Sequence, residues 1–174
     1  ALPICRDGLN FPRRFREAFI RPGLDQMNWN ERNMMMSPGM IRTSPTEYSL
    51  YWTEHYRRHD AHLVRGTIRV DGFASLHADY PGGEMTSVPV ELAGGSLVLN
   101  MSTSAAGSVR VEIQDENGAA IDGYGLDDCE ELFGDEIDRV VTWNGSPELG
   151  RLHGETLRLR IAIVDADLFS IACV

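Results

Sequence analysis

The sequence predicts an all-β protein: an antiparallel β-sandwich of jelly-roll-like arrangement, preceded by an irregular, strand-containing amino-terminal segment. Three observations carry this prediction. From residue 63 onward the chain reads as short alternating or β-branched runs. The runs are separated by DG, GG, NG and DAD turn signals. No helical periodicity intervenes between them, whereas parallel sheets need crossover helices.

Taken in order, residues 13–20 (RRFREAFI) hold the only helical hint of the first third, with Phe15, Ala18 and Phe19 able to share one face. Pro12, Pro22, Pro38 and Pro45 cut the rest into pieces too short for stable helices. Residues 34–42 (MMMSPGMIR) and 47–56 (EYSLYWTEHY) favour strands. In the second, Tyr51, Thr53 and His55 face one way, and Leu50, Trp52, Glu54 and Tyr56 the other. The regular part begins with LVRGTIRV at 63 and continues through FASLHA, MTSVPVEL, SLVLNMSTS, SVRVEIQD, RVVTWNG, TLRLRIAIV and LFSIACV. Alternation points Val109, Val111 and Ile113 inward, and Leu157, Leu159, Ile161 and Ile163 likewise, with Phe169 and Trp143 joining the core. Between these strands, 123–139 (GYGLDDCEELFGDEIDR) is too long for a hairpin turn and reads as an excursion over one end of the sandwich. The domain division expected is 1–62 and 63–174.

The 174 residues suffice for one domain with a real core, or one domain plus an appendage. Net charge is −10, which argues against a nucleic-acid partner. It is unevenly placed: residues 1–70 carry +4 and residues 71–174 carry −14. All sixteen cations are Arg. No apolar stretch approaches the roughly 20 residues of a membrane span, so no membrane partner is expected. Cys5, Cys129 and Cys173 lack the close spacing of zinc ligands; their odd number leaves a thiol free, and Cys173 in SIACV reads as a small buried hydrophobe.

Three constellations could carry function. The acids Asp127, Asp128, Glu130, Glu131, Asp135, Glu136 and Asp138 are hard oxygen ligands of the kind calcium takes, but lack the order of a calcium loop; a solvated acidic loop is the alternative. His55, His59 and His62 would align for zinc on a helix, yet sit between strand-like flanks, where a surface location is expected and no metal site. Tyr48, Tyr51, Trp52 and Tyr56, with Trp29 further back, concentrate rings beside acids and Arg, which suits stacking on the apolar face of a sugar; burial in a core is the rival reading. No phosphate loop, GxSxG elbow or HExxH is present.

RVDGFASL (69–76), LNMSTSAAGSVRVEIQD (99–115) and DADLFSI (165–171) carry a resemblance that extends over about residues 18–173. The chain resembles the carboxy-terminal part of glycoside-hydrolase-like proteins, often bacterial, in which a five-bladed β-propeller similar to that of family 32 precedes a β-sandwich. The resemblance implies that residues 18 to about 68 correspond to the last blade and 69–174 to the sandwich. Because the catalytic carboxylates of such proteins lie on earlier blades, it also implies no catalytic residue here. The expected function is a non-catalytic, carbohydrate-associated module with Trp52, Tyr56, Glu54 and Tyr51 as ligand-binding residues and no cofactor, calcium being the exception the acidic stretch allows. Two rivals stand beside it: a contribution to a glycosidase site through Glu47, Trp52 or Glu54, and a purely structural buttress. Partners implied are carbohydrate or the missing propeller, with self-association through residues 1–62 as an alternative. The same resemblance suggests a secreted or periplasmic location.

Overall fold

The computed structural model describes residues 9–10, 16–30, 32 and 34–174. Cys5, Pro12 and Phe15 lie outside the described residues, and 16–20 form no helix. Among the described residues the protein is nearly all β, with antiparallel sheets and two short 3-10 turns, Gln26–Trp29 and Gly150–Leu152. It divides into two compact units, residues 1–68 and 69–174.

The first unit is a sheet built on β3 (Glu47–Glu54). β1 (Met35–Met36) and β2 (Ile41–Arg42) pair with β3 antiparallel, as successive pieces of a strand that Pro38 and Gly39 interrupt. β4 (His62–Arg69) also pairs with β3. Residues 63–68 of LVRGTIRV therefore lie in the first unit, and the division falls at Ile68/Arg69. At the centre of β3, buried Ser49 exchanges a hydrogen bond with Thr43 Oγ1 (2.8 Å) and accepts one from Arg65 Nε (2.9 Å). Its hydroxyl is thus satisfied away from water.

The second unit is a six-stranded sheet organised by two very long strands, β8 (Leu97–Asp115) and β10 (Thr156–Cys173), antiparallel over their whole length. β7 (Val90–Glu91), β6 (Gly83–Thr86) and β5 (Leu76–Ala78) pair in turn with β10, and β9 (Asp135–Val140) pairs with β8. SLVLNMSTS and SVRVEIQD, separate in the sequence reading, are one strand; so are TLRLRIAIV and LFSIACV. The register jumps where Thr103 faces Ala166 but Ser108 faces Val164, leaving 104–107 opposite Asp165 alone. Gly107 sits where any Cβ would strike the Asp165 carbonyl oxygen, and Asp165 itself takes φ 43°.

Inward residues on both sides of this irregularity, Leu97, Leu99 and Met101 before it and Val109, Val111 and Ile113 after it, join one core with Leu157, Leu159, Ile161 and Ile163. Trp143 is buried there and donates from Nε1 to the Val111 carbonyl (2.8 Å). Phe169 is not in the core: the shift between Val164 and Ala166 changes which residues alternate inward, so Ala166 and Leu168 are buried and Phe169 lies half-buried under the Arg69 guanidinium, 4.3 Å from its ring centroid. The fully buried thiol is Cys129, pushed up in pKa by burial, while Cys173 is half-buried.

The acidic stretch is not a single excursion. Its second half is β9, and Arg69 clamps β9 to β8 by bonding Asp135, the Glu136 carbonyl (3.0 Å) and the Met101 carbonyl (3.3 Å), where a register shift leaves the ladder irregular.

Candidate functional site: an aromatic and imidazole cluster in the first unit

Strand alternation sends Trp52 and Glu54 to one face of β3. There Trp52 Nε1 donates to Glu54 Oε1 (3.1 Å). The same indole lies across β4 at Gly66: a Cβ at that position would sit 2.5 Å from Trp52 Cζ3. The missing side chain makes room for the ring, and the Glu54 bond sets its rotation. The indole stays half-buried.

The other two expected ligand residues are elsewhere. Tyr51 alternates to the opposite face of β3 and is half-buried. Tyr56 lies beyond the strand, because His55 adopts φ 52° and breaks the alternation. Tyr56 therefore does not extend the Trp52 face; its carbonyl accepts from Asn30 Nδ2 (3.0 Å) and the Arg57 guanidinium stands 5.4 Å from its ring centroid.

A polar constellation occupies the end of β3 instead. His55 Nε2 lies 2.9 Å from Asp25 Oδ2 and His55 Nδ1 lies 2.6 Å from Asp60 Oδ2. The His62 ring packs edge-on against it at 5.0 Å, and His62 Nε2 reaches to 3.8 Å from Glu54 Oε2. The hydrogen bond to Asp25, then that to Asp60, raises the His55 pKa above its ordinary value, and the bond from His55 lowers the pKa of both carboxylates. The cationic form of the imidazole is favoured between the two carboxylates. With both nitrogens occupied it has no free lone pair to act as a base.

Of His55, His59 and His62, the first and last meet, and His59 is exposed. Asp60 stands close enough in sequence to His55 for the pairing to be anticipated. Asp25 does not, and no periodicity signals it. Among the described residues, no group of three or more His, Cys, Asp and Glu side chains is arranged to hold a metal ion.

The acids of 127–138 are dispersed into separate contacts. Asp128 accepts from Gly125 N (3.0 Å) and Asn144 Nδ2 (3.1 Å), Glu130 from Thr142 Oγ1 (2.6 Å), and Glu131 from Arg110 (3.2 Å). Nearby, Tyr124, Trp143, Asn144, Ser146, Glu148 and Arg151 line an open cleft of about 560 Å³. Its rings cannot serve as stacking platforms: Tyr124 and Trp143 are 5 % and 2 % exposed, and the Arg151 guanidinium covers the Tyr124 ring at 4.4 Å.

No family model, no curated protein and no solved structure matches this chain.

Proposed function

We propose that this chain is the non-catalytic, carbohydrate-associated β module of a glycoside-hydrolase-like protein, and that it holds a neutral sugar against Trp52. One observation supports the reading: a half-buried indole positioned by Gly66 and Glu54, with a carboxylate on the same face of the strand. An apolar pyranose face stacks on such a ring, worth about 0.5–1.5 kcal/mol by analogy with aromatic pairs. Glu54, with 27 % of its side chain exposed, accepts hydrogen bonds from the sugar hydroxyls. The cleft beside Tyr124 offers polar groups but no open ring.

A catalytic pair made of Glu47 and Glu54 is disfavoured by distance. Glu47 and Glu54 lie at opposite ends of β3 and on opposite faces, roughly 23 Å apart at the rise of an extended strand, whereas paired glycosidase carboxylates stand about 5–9.5 Å apart.

Glycan-array binding by the chain, followed by Trp52→Ala and Trp52→Phe, tests the proposal. Binding retained in Trp52→Phe and lost in Trp52→Ala, with unchanged far-ultraviolet circular dichroism, is the expected result. Unchanged affinity in folded Trp52→Ala overturns the placement, no binding to any neutral glycan favours the buttress, and turnover of an aryl-glycoside panel would restore the enzyme.

A further inference from the structure

Residues 22–30 form a small loop closed on itself. Asp25 accepts from Met27 N (2.9 Å) at the start of the 3-10 turn, Asn28 Nδ2 donates to the Pro22 carbonyl (3.3 Å), and Trp29 Nε1 donates to the Gly23 carbonyl (3.0 Å). Its anchorage to the β3–β4 turn is polar. His55 N donates to Asn28 Oδ1 (3.0 Å), Asn30 Nδ2 donates to the Tyr56 carbonyl, and Asp25 binds the His55 ring. Its apolar side chains contribute little, since Leu24, Met27 and Trp29 are all exposed. A contact with so little apolar burial depends on its hydrogen bonds and charges.

We propose that His55, bridged between Asp25 of this loop and Asp60 of the turn, is a pH-sensitive latch that docks residues 22–30 and releases them when the imidazole loses its proton. The neutral ring carries a single N–H and can donate to only one of the two carboxylates, so the other is left facing a lone pair. The surrounding charges act on the same equilibrium. Asp25 and Asp60 favour the cation directly, His62 touches the ring, Arg58 and His59 act on the two carboxylates, and Glu54 reaches the group through His62.

Since the folded pKa is raised, the stabilisation is full below the ordinary histidine value of 6.5 and is lost as pH rises through the folded value. The inference stands independently of whether Trp52 stacks on a sugar.

Hydrogen exchange of the amide at position 55, corrected for intrinsic rates from about pH 6 to about pH 9, reads the docking bond directly. The expected loss of protection is about tenfold for each unit by which the folded pKa exceeds the free one, while the Leu50 amide in β3 keeps its protection. Asp25→Asn, which retains a turn-capping side chain, lowers the midpoint of the His55 ring titration, and His55→Gln leaves position 55 with flat protection across the range. Protection at position 55 that stays constant through the His55 titration, or falls only together with Leu50, overturns the latch. So does a His55 midpoint unmoved by Asp25→Asn, which decides the matter should His55→Gln not fold.

Discussion

Gly66 and Trp52 show how a residue without a side chain can define a site. The indole occupies the volume a Cβ would need, so Gly66→Ala forces either the ring off its Glu54 bond or β4 away from β3. Overpacking of this kind costs about 1–3 kcal/mol. Gly66→Ala is therefore expected to shift Trp52 fluorescence and weaken sugar binding while leaving the second unit's unfolding unchanged, measured by separate near-ultraviolet and denaturation probes. The pairing of Trp52 with Glu54 was legible, because two residues apart on a strand means one face. The Asp25–His55–Asp60 bridge was half legible: the spacing from His55 to Asp60 suits a turn, but Asp25 arrives through the fold. Tyr56 was misplaced because a histidine at positive φ, like the bend it makes, has no signature in an alternating pattern.

At the scale of elements, the sequence shows where strands run better than where they join. Alternation placed Val109 through Ile113 and Leu157 through Ile163 correctly in the core, since each such run buries every second residue. It could not show that β8 continues from Leu97 to Asp115, because the small residues AAG at 105–107 separate the two apolar runs although they belong to the irregularity of a continuing strand. Gly107 is the test of that irregularity. A side chain there meets the backbone carbonyls of Asp165 and Val164, which cannot rotate away. Gly107→Ala is expected to destabilise the second unit by about 2 kcal/mol or more. Gly150→Ala, where nothing lies within 4 Å of the added carbon, should be close to neutral; urea midpoints of the two variants compare them. The acidic stretch was misjudged for a related reason: its charges conceal β9, whose pairing is supported by Arg69, a residue remote in sequence.

For the whole molecule, the uneven charge has a consequence for acid stability. Burial pushes the Glu112 pKa up, but hydrogen bonds from Gln114, Arg160 and Leu126 N outweigh it and hold the value below the ordinary one. Asp115, bonded first by the Ala119 amide, is lowered too. A depressed carboxylate stabilises the fold above its unfolded pKa and ceases to do so as pH falls through the folded one. The second unit should therefore lose stability on acidification. Glu112→Gln should flatten that dependence, as read from urea midpoints between about pH 3 and about pH 7. The functional proposal can be decided by the three indole N–H resonances of Trp29, Trp52 and Trp143 in a proton–nitrogen correlation spectrum during titration with a neutral oligosaccharide that the chain binds. Sugar stacking in the first unit predicts a saturable shift of the Trp52 signal, whose N–H faces Glu54, with Trp143 unmoved; a bound sugar that leaves Trp52 still, or moves Trp143 in its place, would contradict it.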